Sequence, residues 1–271
     1  MTAIGIMATS IVLKGKCALI TGSTQGLGLA AAKRLAEEGC NIVINGLGDE
    51  REIAALCADI EKEHGVRTLY SGANLAHALE IERMIAGSVD VFGAIDILVN
   101  NAVVRYSAPV EQFPVGEWDL GMAVNLSAAF HTIRLALPEM RRRNWGRIIN
   151  VSSIYGLIGT ANRISYVTTK TALIGLTRAV ALETRDQNIT CNAICPGTVE
   201  TPVHAKTIEQ MMTSESLTRE EAEKRFLATK QPGAHWIAPE DVAEMIAFLC
   251  GPGSRDITGA ALPIDGGWSI S

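Results

Sequence analysis

Seven short apolar runs, separated by stretches with helical spacing, constrain this chain more than any other feature in it. They are residues 17–21, 41–45, 67–71, 95–100, 147–152, 190–195 and 261–264. Most are unbroken rather than alternating in polarity, which is how a strand reads when both faces of its sheet are covered. Helical stretches fall between them at 28–38, 80–92, 114–143, 166–185 and 239–249, the last opening on Pro239, Glu240 and Asp241. Strand and helix in alternation predict an α/β fold, a single doubly wound domain with a mostly parallel sheet and helices on both faces. No linker or internal repeat divides the 271 residues, so one domain is expected over 12–271, with 1–11 as an N-terminal extension. Residues 198–233 break the pattern. Polar and helix-prone around Met211, Met212 and 219–230, they read either as a small helical substrate lid over the sheet edge or as a solvated hairpin with no gating role.

Composition narrows the class. A net charge of −5, with 48% apolar and 20% charged residues, is ordinary for a globular chain and favours neither nucleic acid nor a membrane surface as partner. Six cysteines (Cys17, Cys40, Cys57, Cys191, Cys195, Cys250) show neither CxxC pairs nor zinc-like spacing with histidine. They read as reduced and mostly buried, and no metal is expected. No apolar run reaches the roughly 18 residues needed to cross a bilayer, and residues 1–11 carry no Lys or Arg ahead of their short apolar part. A cytoplasmic protein is the expectation.

After the first apolar run comes Thr21-Gly22-Ser23-Thr24-Gln25-Gly26-Leu27-Gly28, then the helical Leu29-Ala30-Ala31-Ala32-Lys33. Glycines permit a tight turn and close approach of a pyrophosphate, whose charge is attracted by the free N–H groups of the following helix. Strand, turn and helix in that order is the context a Rossmann-type dinucleotide site requires. The spacing is G-x-x-x-G-x-G, and a plain glycine-rich strand-to-helix turn is the alternative. In a doubly wound fold the ligand lies at the carboxyl ends of the strands, so the reactive side chains are expected there.

Farther along, Tyr166 and Lys170 stand one helical turn apart, with Ser153 thirteen positions before the tyrosine at the end of an apolar run. Residues i and i+4 share a helix face. A fixed cation beside a phenol favours the phenolate and lowers a pKa that is otherwise about 10. With a serine hydroxyl to hold the oxygen, such a pair takes a proton from an alcohol or gives one to a carbonyl. The same two residues on the surface of an amphipathic helix would do nothing of the kind.

Together these segments resemble the short-chain dehydrogenases/reductases. The resemblance runs from about Leu13 to the C-terminus with the motifs in the family's order: Thr21 to Gly28, Asn100-Asn101-Ala102, Asn125, Ser153, Tyr166 with Lys170, and Pro196-Gly197. It implies Tyr166 as general acid/base, Ser153 rather than Ser152 on the substrate oxygen, Lys170 on the nicotinamide ribose and Asn125 holding a water in a proton relay. The implied cofactor contacts are Gly22, Thr24, Gln25, Gly26, Leu27 and Gly28, then Asn74, Leu75, Asn101 and Ala102, then Tyr166, Lys170, Pro196, Gly197, Val199 and Thr201. Val103 stands where the family usually has glycine, and Asn74 where it usually has aspartate beside the adenine.

Within that family the framework is most similar to bacterial D-3-hydroxybutyrate dehydrogenases, in segments such as Leu13-Lys14-Gly15-Lys16, Asn192-Ala193-Ile194-Cys195-Pro196-Gly197, Lys230-Gln231-Pro232 and Asp265-Gly266-Gly267-Trp268. The pocket departs from it. Where those enzymes hold a small carboxylate with glutamine, histidine, lysine and a second glutamine, this chain has Arg105, Tyr155, Arg163 and Thr207. Thr198 replaces one enclosing tryptophan and Trp268 retains another. With Ser153 and Tyr166, these are the expected substrate contacts. Two guanidiniums suit an oxyanion through paired hydrogen bonds, so the expected substrate is a hydroxy acid or keto acid larger or more anionic than hydroxybutyrate. Arginines facing solvent or a neighbouring subunit would leave a reductase of neutral or cyclic ketones instead, and a binding protein that senses NAD without turnover is a third reading.

NAD is the expected cofactor. An NADP site needs positive charge near the ribose 2′-phosphate, and neither Ser23-Thr24-Gln25 nor Asn45-Gly46-Leu47-Gly48-Asp49 supplies any, although Arg51 is near. The resemblance also implies a homotetramer joined through the two longest helices and the C-terminal strand.

Overall fold

Parity along the strands explains why the apolar runs are unbroken. In β1 (Cys17–Ile20), Ala18 and Ile20 belong to the core on one face of the sheet, and Cys17 and Leu19 to the core on the other. The same division separates Ile42 and Ile44 from Val43 in β2 (Asn41–Asn45), and Ile97 and Val99 from Leu98 in β4 (Ile97–Asn100). Successive side chains point to opposite faces, so a sheet covered twice has no polar side. These observations come from a computed structural model that describes residues 13–228, 230 and 235–271. The expected extension at 1–11 falls outside those residues, as does part of the expected lid.

Adding β3 (Thr68–Ser71), β5 (Gly146–Val151), β6 (Ile189–Pro196) and β7 (Ala261–Ile264) gives one sheet of order β3-β2-β1-β4-β5-β6-β7, every strand pair parallel. One face carries α1 (Gly26–Glu37), α2 (Glu50–His64) and α9 (Pro239–Cys250), which contribute Leu35, Ile60 and Ile246 to their core. The other carries α3 (Ala78–Phe92), α5 (Ala128–Arg143) and α6 (Ile164–Thr184), with Ile85, Ile133 and Val180. The strand order reverses between β1 and β4, which places the ligand crevice at their carboxyl ends.

The stretch expected as one helix over 114–143 is α4 (Val115–Met122), a π-helical turn at Ala123–Ser127, and α5. Taken together its 29 residues are long and apolar enough to cross a membrane, with a mean hydropathy of 1.3 in the best window, where the sequence reading found no such run. Its inner face is nevertheless committed to the sheet: the Thr132 hydroxyl donates to Asn100 Oδ1 at 2.7 Å, and Ile133 and Met140 are buried. Helix α2, which the apolar spacing did not single out, is capped by the Asp49 carboxylate, which accepts from the Arg51 and Glu52 N–H groups, and ends on Gly65 in the left-handed region. All six cysteines are free, and all but Cys57 are buried.

Over the sheet edge, α7 (Pro202–Glu215) and α8 (Arg219–Ala228) pack on each other around Ile208, Ala222, Phe226 and Leu227, with Trp236 against them. This pair has a core of its own. Its two ends are clasped where Ile237 N–H donates to Thr198 O and Glu200 N–H donates to Ile237 O.

Candidate active site

The turn after β1 can receive an anion. Helix α1 starts at Gly26 without a side-chain cap from Gln25 and without an acidic residue in its first turn, so its leading N–H groups are left for a ligand. Gly22 has φ +65°, a conformation only glycine adopts cheaply, and lies so close to Ala102 that an added Cβ would sit 2.9 Å from its Cα. At Gly28 a Cβ would meet the Gly22 carbonyl oxygen at 2.2 Å, so the helix can approach the turn only without a side chain there.

Across the strand-order reversal, Asn101 locks β4 to that turn. Its Nδ2 donates to the Thr21 and Gly22 carbonyls at 2.9 and 3.0 Å, while the Asn101 and Ala102 N–H groups donate to Thr21 Oγ1. Two residues on, the chain is held by Asn125, whose Oδ1 accepts from Val104 N–H at 2.8 Å and whose Nδ2 donates to Val104 O at 2.9 Å. Asn125 sits on the π-helical turn, a distortion common at functional sites. Its side chain is therefore occupied by backbone and fixes the segment that carries Arg105.

Beyond β5, Ser153 Oγ accepts from Tyr155 N–H at 3.2 Å, and Tyr166 and Lys170 project from α6 beside it. The Lys170 ammonium donates to the Val151 carbonyl at 2.6 Å and lies 5.7 Å from the centre of the Tyr166 ring. Arg105 places its guanidinium 5.5 Å from the same ring centre. Burial pushes the phenol up, but the charges of Arg105 and Lys170 and hydrogen bonding from Ser153 and Arg105 outweigh it, and the tyrosine falls below its ordinary 10.0. Burial, countered by Tyr166 and reinforced by Arg105, brings Lys170 down to about 8. The two titrate as a coupled pair. The sequence reading gave the lysine sole credit for priming the phenol; the arginine acts on it as well.

Most of these parts line a cavity of about 540 Å³ at the carboxyl edge of the sheet, within the range of small-molecule and cofactor sites. Its walls run from Gly22 through Asn101 and Ser153 to Tyr166, Gly197 and His204. A family model described as short chain dehydrogenase matches residues 16–212. The chain belongs to the short-chain dehydrogenase family. It is 43% identical to a D-beta-hydroxybutyrate dehydrogenase of Cupriavidus necator, over 94% of this chain and 98% of that protein, and 42% identical to one from Rhizobium meliloti over the same shares. Among solved structures, the L-sorbose reductase of Gluconobacter frateurii, complexed with NADPH and L-sorbose, superposes with a TM-score of 0.92 at 28% identity, over 97% of this chain and 99% of that one.

In this short-chain dehydrogenase every position named for the cofactor lies in the cavity wall, Asn74, Leu75, Val199 and Thr201 included. Ser153, Tyr166, Lys170 and Arg105 lie there too. Asn125, Tyr155, Arg163, Thr198, Thr207 and Trp268 do not line it. Tyr155 stands edge-on to both Tyr166 and Trp268, at 6.4 and 5.5 Å between ring centres, forming an aromatic backing to the Tyr166 phenol. Arg163 is the half-buried residue ahead of α6, and Thr207 Oγ1 donates to Val203 O within its own helix at 3.2 Å. Thr198 is buried at the base of the α7–α8 pair. The Asn74 side chain accepts from Ala76 N–H, closing a local turn. His204 was missed. It enters the wall from the first turn of α7, and only its place three residues after Thr201 could have flagged it.

Proposed function

We propose that this chain is an NAD-dependent dehydrogenase that interconverts a secondary alcohol and its ketone, the pair being a hydroxy acid and keto acid related to 3-hydroxybutyrate but larger or more anionic. Arg105 carries the reading: a guanidinium in the cavity wall beside the reactive phenol. None of the ion pairs among the described residues involves Arg105, Arg163 or Lys230. An arginine without a carboxylate partner, in a pocket, is available for a substrate's.

A nicotinamide, when bound, accepts or donates the hydride. The residues of the chain handle the proton: Tyr166 Oη removes it from the alcohol oxygen or returns it to the carbonyl oxygen, and Ser153 Oγ holds that oxygen by a hydrogen bond. The charges of Lys170 and Arg105 hold the phenol below its ordinary value, which favours the phenolate. Asn125 is a positioning residue for Arg105 through Val104 in this scheme, alongside the water-holding role implied by the family.

NAD is favoured over NADP because the wall at the end of β2 is Asn45, Gly46 and Leu47, with no basic side chain. Asp49 is committed to capping α2. The NADPH-bound sorbose reductase supports a second reading, reduction of neutral ketones, which the absence of Arg163 from the wall also favours. Steady-state turnover with acetoacetate and with methyl acetoacetate, each with NADH and NADPH, separates the two. The proposal expects a lower KM for the acid and a higher kcat/KM with NADH; equal constants for acid and ester, or a preference for NADPH, would overturn the corresponding part.

A cytoplasmic homotetramer completes the proposal. Val115, Phe130 and Leu182 expose 74, 51 and 68% of their surfaces along α4, α5 and α6, apolar area suited to subunit packing. Light scattering on the eluting protein tests it, with a mass near four times 28.9 kDa expected.

A further inference from the structure

His204 is the point where the cavity meets the core of the lid. Its ring lies 5.5 Å from Phe226 and 5.7 Å from Trp236, centre to centre, and the same residue lines the cavity. Nδ1 is 2.7 Å from the Val199 carbonyl oxygen. A carbonyl only accepts, so Nδ1 carries the proton and the neutral ring keeps its lone pair at Nε2.

The charges around this ring share one sign. Arg105 reaches it from the segment after β4, Arg163 from the residue ahead of α6, and Lys230 from beyond α8. The charged groups with the largest effects on it are all cations. Burial, opposed by the bond to Val199 and joined by the three cations, holds the imidazole below its ordinary 6.5. Lys230, packed 3.2 Å over the Phe226 ring, is itself brought down to about 8 by burial and by Arg163. The site is short of negative charge.

An anion entering this cavity offsets that repulsion and adds attraction. The flanking aromatic rings of Phe226 and Trp236 can also accommodate a charged imidazolium, since an aromatic face attracts a cation. We propose that His204 is a specificity-determining residue that takes up a proton at Nε2 from solvent when an anionic substrate fills the cavity, so that the acid binds more tightly as the pH falls from about 8 to 6. This rests on the anionic-substrate reading of the same site. By linkage, the ligand that raises the proton affinity of the ring is bound more tightly when the ring is charged. A neutral ketone gains nothing from that proton.

The test uses the full-length protein saturated with NAD, in which a ketone cannot react for want of a hydride. With histidine ring carbons labelled, the His204 resonance, identified by its loss in His204→Gln, is titrated from pH 5 to 8.5 alone, with acetoacetate, with malonate and with methyl acetoacetate. The ring is expected to titrate below 6.5 without ligand, to move up by about one unit with either anion, and to stay in place with the ester. The dissociation constants of the anions are expected to fall by roughly three- to sixfold between pH 8 and 6, and this dependence to flatten in His204→Gln. If the anions bind and Arg105→Ala weakens them, yet the His204 titration does not move, the inference fails and the anionic-substrate reading survives. If neither anion binds, both fall.

Discussion

The cavity has two halves made in different ways. The half proposed for the cofactor is built from backbone at strand ends: the turn after β1, the Asn101 lock and the Pro196-Gly197 exit from β6, all fixed by the parallel register of the sheet. The half proposed for the substrate is built from side chains brought by separate elements, Arg105 after β4, Tyr166 from α6 and His204 from α7. A backbone site tolerates change in the residues around it because its geometry is set by the sheet. A side-chain site is redrawn by each substitution.

The largest effect is expected at the residue both halves share. Tyr166→Phe removes the proton-transfer oxygen and should lower kcat by on the order of 10²–10⁴-fold, while NAD affinity, read by NADH fluorescence, changes only a few-fold. Next comes the cofactor half. Gly28→Ala puts a carbon 2.2 Å from the Gly22 carbonyl, and overpacking of this kind costs roughly 1–3 kcal/mol. A lower melting temperature and weaker NAD binding should appear together in calorimetry. In the substrate half, Arg105→Ala should raise KM for acetoacetate by about tenfold or more, the loss of a charge-assisted hydrogen bond, and leave KM for the methyl ester within about twofold. A similar rise for both would place the arginine's role in the fold. Smallest is Thr207→Ala. With its hydroxyl bonded to Val203 within α7, both Michaelis constants should stay within about twofold, although family alignment puts this residue on the substrate.

The same division explains what could be read in advance. Unbroken apolar runs gave the sheet because burial on both faces leaves no alternative pattern, and the glycine turn was legible because Gly22 and Gly28 answer backbone requirements that no other residue meets. Helix α2 was overlooked because only Ile53 and Ile60 are buried on it, too little for the apolar spacing to register; its signal lay in the Asp49 cap and the Gly65 stop. The helical character of α7 and α8 followed from composition, but their private core around Phe226 and Trp236 did not, since Trp236 lies outside α8 and no local spacing pairs it with Phe226. Tyr166 and Lys170 were paired by helical spacing. Arg105 was named for the substrate carboxylate, and its proximity to the phenol depends on the Asn125–Val104 bonds, which no local pattern encodes.

That second cation is the account's central claim, and titrating Tyr166 tests it most directly. Phenolate absorbance, taken as the difference between wild-type and Tyr166→Phe protein, gives the ionisation of this one residue in the wild-type, Lys170→Met and Arg105→Ala backgrounds. The account predicts a wild-type midpoint below 10 that moves to higher pH when either cation is removed, by about one unit or more. A wild-type midpoint at or above 10, or one that Arg105→Ala leaves in place, would contradict it.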